Sequence, residues 1–93
     1  MRSIEVEVRS ETGLHARPAA AFVRAASGYA SRIRLKNLST GRPAVDARSI
    51  TGLLSAGVEK GHVIRISARG EDEGQAVAAL AELLEVLAKP VGE

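Results

Sequence analysis

Hydrophobic and polar residues alternate along three segments of the chain, and this period of two is typical of half-buried β-strands. The alternating apolar positions are Ile4, Val6 and Val8 within residues 3–9, Ile33 and Leu35 in the second segment, and Ile64, Ile66 and Ala68 in the third. Residues 37–43 form a turn-rich connection, and a shorter strand is predicted after it, over residues 44–47.

Between the strands the apolar spacing changes to that of amphipathic helices. Over residues 16–27 the apolar positions are Ala19, Phe22, Val23 and Ala26, and Gly28 is placed to end this helix. A short helical segment is predicted over residues 50–54, where the preceding Ser49 is a natural N-cap.

A longer helix is predicted near the end of the sequence. Asp72 suits its N-cap and Gln75 the reciprocal third position, while Lys89 and Pro90 are suited to its end. Its apolar face comprises Ala76, Val77, Leu80, Leu83, Leu84 and Leu87.

The predicted element order is therefore β-α-β-β-α-β-α. Strands with one apolar and one polar face imply a single sheet that is covered by helices on one side and faces water on the other. The fold class is an α/β (α+β) open-faced two-layer sandwich. The 93 residues suffice for one modest core, so residues 1–93 are expected to form a single domain.

Composition narrows the function classes. Aromatic residues make up only 2% of the chain, which argues against nucleic-acid binding by base stacking. The net charge of +2 suits an acidic protein partner as readily as a nucleic acid. The absence of cysteine excludes disulfides and thiol chemistry, and two histidines give little support to a metal site. With no signal-peptide pattern and no membrane-spanning run, a cytoplasmic protein is expected.

The strongest chemical candidate is His15, which lies where the first strand region gives way to a predicted helix. The N–H groups and dipole at a helix start attract anions, and Arg17 adds a permanent positive charge. Pro18 suits the first turn, where its missing N–H costs nothing. These residues indicate a histidine that receives a phosphoryl group; a helix-capping histidine beside a solvated arginine is the alternative.

The run Gly13-Leu14-His15-Ala16-Arg17-Pro18-Ala19 resembles the active-site signature of the HPr family, the histidine phosphocarriers of the bacterial phosphoenolpyruvate-dependent phosphotransferase system. The likeness extends over the whole chain. The resemblance implies four antiparallel strands, in the order first, fourth, second, third, covered by three helices.

The resemblance also implies a mechanism. His15 would accept a phosphoryl group on Nδ1 from enzyme I and pass it to enzyme IIA domains of sugar transporters. Arg17 would stabilise the phosphate, the backbone N–H groups of Ala16 and Arg17 would donate to it, and Pro18 would shape the helix start. A monomeric carrier is expected, which has no cofactor, does not insert into a membrane and is not an enzyme with its own turnover.

Ser49 resembles the regulatory serine of the family, which begins the second helix and is phosphorylated by HPr kinase/phosphorylase in organisms that have this enzyme. A phosphate there adds about −1.5 to −2 charges and is favoured by the helix dipole. A carbon-catabolite transcription regulator would be a further partner. The alternative is that Ser49 acts only as an N-cap.

The expected docking surface combines the start of the first long helix with the short helix. Its basic members are Arg17, Arg24 and Arg48, and its apolar members are Ala20, Ile50 and Leu54. The family often displays methionines where this chain has Thr51 and Leu54. Thr51 is the more polar of these two residues and weakens the expected contact with partners that recognise methionine.

Other polar residues are interpreted structurally. His62 is taken as a surface histidine, and Glu5, Glu7, Glu59, Glu82 and Glu85 show no paired-carboxylate pattern. Two other functions remain open: a regulatory protein of the same fold, acting in nitrogen or carbon control through protein contacts, and a small basic nucleic-acid-binding domain. The second is disfavoured by the missing aromatics and dispersed arginines, so no nucleic-acid partner is expected.

Overall fold

The structure, a computed structural model, describes residues 1–88. Seven elements follow one another in the predicted order. They are β1 (Arg2–Glu7), α1 (Ala16–Ala26), β2 (Arg32–Asn37), β3 (Val45–Asp46), α2 (Ile50–Ser55), β4 (Val63–Arg69) and α3 (Glu73–Leu87). Lys89 and Pro90, which are suited to the end of the last helix, lie outside the described residues.

The strands form one four-stranded antiparallel sheet in the order β1-β4-β2-β3, as the resemblance implies. The register places Ile66 of β4 opposite Ile4 of β1 and Leu35 of β2, so one face of the sheet is continuously apolar. The helices cover this face. α1 packs against both α2 and α3, and α3 lies on β1 and β4. The predicted open-faced sandwich is confirmed.

The core is aliphatic around a single aromatic ring. Phe22 is fully buried, and the buried positions of α3 are those of its predicted apolar face, with Leu83 and Leu87 packed at the margin. The largest fully buried apolar side chains are Phe22, Leu14, Ile33, Leu35, Leu53, Ile64, Ile66, Leu80, Val8 and Val58.

Two strands are shorter than predicted. β1 ends at Glu7, one residue before the ladder breaks: the N–H of Val8 still donates to the His62 carbonyl in register, but the N–H of His62 donates to the Glu59 carbonyl and the Val8 carbonyl accepts the N–H of Gly61 instead. β3 comprises only Val45–Asp46, because the Asp46 carboxylate accepts the N–H of Arg48 at 2.9 Å and turns the chain toward α2.

Two predicted caps are wrong in their chemistry. Gly28 is absent from the positions with left-handed backbone, and α1 instead ends through Ser27, whose N–H donates to the Val23 carbonyl. Asp72 does precede α3, but its carboxylate makes no cap hydrogen bond, so the predicted exchange with Gln75 does not form. The carboxylate of Glu73 instead accepts the N–H of Gly70 at 3.2 Å.

Asp72 instead joins α3 to the start of β2. Its two carboxylate oxygens accept the N–H of Ala30 at 2.8 Å and the N–H of Ser31 at 2.9 Å, and the Ser31 hydroxyl donates as well. The hydrogen bond from the Ser31 hydroxyl is the main cause that lowers the pKa of Asp72 below its ordinary value of 3.8. The hydrogen bond from the Ala30 N–H is the next largest cause.

This pKa shift predicts an acid-dependent stability contribution. A carboxyl whose pKa is lower in the folded than in the unfolded state stabilises the fold above the unfolded value, and the contribution disappears as pH falls through the folded value. Asp72→Asn should therefore lower the free energy of unfolding at pH 7, and its difference from the parent protein should shrink below about pH 4. Urea denaturation across this pH range measures the difference. Glu71→Gln, a substitution at the neighbouring exposed carboxylate, is the control, and a pH-independent difference would contradict the assignment.

Candidate functional site

His15 lies at the N-cap of α1 with an extended backbone (φ −106°, ψ 156°), and its side chain makes no cap hydrogen bond. The side chain is 45% exposed, so its ring is accessible from solvent. The next residue, Ala16, has a φ of +39°, in the region that residues with a Cβ rarely adopt. The turn into α1 is therefore strained at Ala16, and the His15 imidazole makes no hydrogen bond to the helix that follows it.

The segment before His15 rests directly on the backbone that precedes β4. The N–H of Leu14 donates to the Val58 carbonyl at 3.0 Å, and the Leu14 side chain is buried. Gly13 makes this close approach possible, because a Cβ added to it would lie 2.1 Å from the Val58 carbonyl oxygen. Gly13 also has a φ of +60°, which favours glycine.

This backbone contact places Glu59 beside His15. The Glu59 Oε2 lies 3.2 Å from Nε2 of the imidazole. Glu59 pairs with no second carboxylate here, but its contact with His15 brings it to the candidate site, where the sequence did not place it. The two residues are 44 positions apart, and no spacing rule connects them, so the sequence carried no signal of the contact.

The backbone of Glu59 is held by His62. His62 Nδ1 accepts the N–H of Glu59 at 3.1 Å, and the Glu59 carbonyl accepts the N–H of His62 at 3.0 Å. The side-chain amide of fully buried Asn37 lies 3.1 Å from the same Nδ1 and 3.1 Å from the Ala56 carbonyl. His62 is half-buried, and its ring holds the loop backbone, a role that its prediction as a surface histidine does not include.

The predicted phosphate-binding groups surround the helix start. Ala16, Arg17 and Pro18 are the first three residues of α1, and the N–H groups in the first turn of a helix have no intrahelical acceptor. Arg17 is exposed and forms no hydrogen bond or ion pair within residues 1–88. Pro18, which has no N–H, occupies the third position of the first turn. An anion at His15 would thus meet hydrogen-bond donors that have no other acceptor among the described residues.

The second predicted site lies at the start of α2. Ser49 has an extended backbone, and its hydroxyl accepts the N–H of Gly52 at 2.9 Å. The predicted N-cap is therefore confirmed. Ser49 is half-buried, and regulation through it stays a prediction.

The expected docking surface is exposed, but one of its arginines has an intramolecular role. Ile50 and Leu54 are 40% and 42% exposed on α2, which packs against α1, and Ala20 is half-buried. Arg24 is exposed. The guanidinium of Arg48 donates to the Tyr29 carbonyl, and to the Ser31 carbonyl at 2.9 Å. Arg48 thus ties α2 to the α1–β2 connection, and its part in docking stays a prediction.

Among residues 1–88, no three side chains of His, Cys, Asp or Glu come together in a group that would hold a metal ion. None of the helices that the structure describes has the length and apolar character needed to cross a membrane.

Comparison with known proteins adds a family to this geometry. The family model described as "PTS HPr component phosphorylation site" matches residues 2–86. The multiphosphoryl transfer protein of Salmonella typhimurium is 42% identical over 83 residues, which are 88% of this chain and 22% of that protein. The chain therefore spans less than a quarter of this curated relative.

Two solved structures are similar over most of their length. HPr-C-His from Thermoanaerobacter tengcongensis superimposes with a TM-score of 0.87 at 42% identity, covering 95% of this chain and 96% of that one. Crh, the Bacillus subtilis catabolite repression HPr, gives a TM-score of 0.63 at 44% identity, covering 89% of this chain and 95% of that one.

Because Gly13 lies so close to Val58, replacing it should lower the free energy of unfolding by more than the unfavourable backbone conformation alone would. Gly13→Ala adds a Cβ that clashes with the Val58 carbonyl, whereas Gly41→Ala meets nothing within 4 Å at a similar φ of +73°. We expect Gly41→Ala to cost about 1 kcal/mol of unfolding free energy and Gly13→Ala clearly more. Equilibrium denaturation compares the two variants. Equal losses would show that the Val58 contact relaxes without cost.

Proposed function

The chain belongs to the HPr family of the phosphotransferase system, and on that premise we propose that it carries a phosphoryl group on His15. The observation that carries the proposal is the arrangement at the start of α1. An accessible imidazole stands there beside the first-turn N–H groups, which have no intrahelical acceptor, and beside the guanidinium of Arg17, which has no partner within residues 1–88. Within residues 1–88 the ring makes its only hydrogen bond through Nε2, which leaves Nδ1 open for reaction.

The phosphoryl group passes along three histidine rings in two steps. A phosphohistidine of enzyme I donates its phosphoryl group to His15, whose nitrogen forms the new N–P bond as the old one breaks. A histidine of an enzyme IIA domain then takes the group from His15. The helix N–H groups and Arg17 stabilise the phosphoryl oxygens in both steps. The protein acts as a carrier that accepts one phosphoryl group and then passes it on, while its partners supply the catalysis.

Both partners would dock at one surface. Ile50 and Leu54 present exposed apolar area on α2, and Arg17 and Arg24 present exposed positive charge on α1. Because α1 and α2 pack together, these groups border the start of α1. An acidic partner surface with an apolar centre fits this arrangement. A monomer is proposed, because the docking surface then stays accessible to successive partners.

A regulatory protein of the same fold is the second candidate. It is favoured by the similarity to Crh, whose name refers to catabolite repression. Such a protein acts through protein contacts in carbon or nitrogen control, without passing a phosphoryl group on. His15 supports the carrier instead, because a purely regulatory protein has no need of a reactive imidazole with free anion donors around it.

Phosphoryl transfer from labelled phosphoenolpyruvate through enzyme I tests the carrier. The parent protein should gain an acid-labile, base-stable label, and His15→Ala should gain none. Arg17→Ala should accept the label about tenfold more slowly, because one charge-assisted hydrogen bond to the phosphoryl group is lost. Arg32→Ala, which removes an exposed arginine on β2, is the matched control and should react at the parent rate.

Two results would contradict these assignments. Label on His15→Ala would place the phosphoryl group elsewhere, and an unchanged rate for Arg17→Ala would remove Arg17 from the site. No transfer to the folded parent protein, with an active enzyme I, would favour the regulatory candidate.

We also propose that Ser49 is a regulatory phosphorylation site. Its hydroxyl stands at the start of α2 beside the exposed docking residues, so an added dianion would change the charge that partners meet. An HPr kinase with labelled ATP should modify the parent protein and Ser55→Ala, a control from the same helix, but not Ser49→Ala. Retained label on Ser49→Ala would contradict the proposal. Ser49→Ala should also lose about 1 kcal/mol of stability, because it removes the N-cap.

A further inference from the structure

We propose that Glu59 is a positioning residue for phosphoryl transfer: its carboxylate holds the proton of the neutral His15 imidazole on Nε2 and so leaves the lone pair of Nδ1 to react. The contact that supports this proposal is the 3.2 Å approach of Glu59 Oε2 to His15 Nε2. The inference rests on the proposed function.

The direction of this hydrogen bond follows from the groups themselves. An ionised carboxylate carries only acceptors, so Nε2 must be the donor. A neutral imidazole has a single N–H, and once that proton is on Nε2, Nδ1 is left without one. Nδ1 makes no hydrogen bond within residues 1–88, so it keeps its lone pair for a phosphorus atom.

The backbone around Glu59 is held on both sides, which gives the contact a defined geometry. On one side, the Val58 carbonyl accepts the N–H of Leu14, next to His15. On the other side, the N–H of Glu59 donates to His62 Nδ1. Although the Glu59 side chain is 61% exposed, only its own rotamers must be restricted to form the bond.

No neighbouring cation occupies the Glu59 carboxylate within the described residues. Lys60 follows Glu59 directly, but its ammonium bonds Glu11 at 2.8 Å. That bond is also the main cause that lowers the pKa of the Glu11 carboxyl. The pairing of Lys60 with Glu11 therefore leaves Glu59 to His15.

With the proton held on Nε2, transfer proceeds without moving a proton. The Nδ1 lone pair forms the N–P bond, while the N–P bond of the enzyme I phosphohistidine breaks and its electron pair returns to that ring. The His15 ring then carries a formal positive charge, which the Glu59 carboxylate balances. When the phosphoryl group leaves for the next histidine, the electron pair returns to Nδ1 and the ring is neutral again.

The test compares Glu59→Ala, which removes the acceptor, with Glu59→Gln, which keeps an acceptor oxygen without charge. Glu71→Gln is the control, because it removes an exposed carboxylate beyond the opposite end of β4. Long-range proton–nitrogen NMR of the histidine rings reads the tautomer directly. The chain contains only two histidines, and His62, whose Nδ1 accepts from the Glu59 backbone, is an internal reference.

In the unphosphorylated parent protein at a pH where the rings are neutral, His15 should show a protonated Nε2 and an unprotonated Nδ1. Glu59→Ala should bring the two His15 nitrogen shifts closer together and slow phosphoryl acceptance from enzyme I about tenfold. Glu59→Gln should retain most of the shift separation and give an intermediate rate. The His62 shifts should not change, and Glu71→Gln should match the parent in both measurements.

An unchanged shift separation in Glu59→Ala would overturn the proposal, whatever the transfer rate. An altered separation with an unchanged rate would also overturn it, because the tautomer would then not matter for transfer. If the parent protein accepts no phosphoryl group, the proposed function fails, and with it the catalytic part of this inference; the NMR comparison still decides whether Glu59 positions the ring.

Discussion

The site depends on one backbone contact, the hydrogen bond from the Leu14 N–H to the Val58 carbonyl. It joins the segment that enters α1 to the segment that enters β4. Only a glycine at position 13 lets these two segments come this close. His15 and Glu59 each follow one end of this bond. Their contact is therefore a consequence of backbone packing, and it needs no attraction between two exposed side chains to bring them together.

Buried Asn37 and half-buried His62 hold the loop that carries Glu59. Asn37 ends β2 in the core, and a buried amide must find partners for its polar atoms. It finds them in the Ala56 and Gly57 carbonyls, the Ser39 N–H and His62 Nδ1. These bonds fix the loop between α2 and β4. The loop that carries Glu59 thus takes its position from the centre of the sheet.

The long periodic segments could be predicted from the sequence, because burial of one face imposes a period of 2 on strands and 3.6 on helices. The buried residues of α1 and α3 follow that rule. The predictions failed where a polar side chain had a choice of partners. Asp72 stands at a helix start, yet it binds the backbone of Ala30 and Ser31, which the fold brings within reach from 41 or 42 positions away.

The same distinction holds for the site. The element order, the apolar faces and the grouping of His15, Arg17 and Pro18 at one helix start could be read from the chain alone, because these are local properties of neighbouring residues. Three contacts depend on the folding of the whole chain: Glu59 faces the imidazole, His62 holds a loop, and Arg48 donates to backbone carbonyls. Each of these contacts joins residues 3 to 44 positions apart through the direction of a side chain. Periodicity does not encode that direction; the packing of loops on the sheet does.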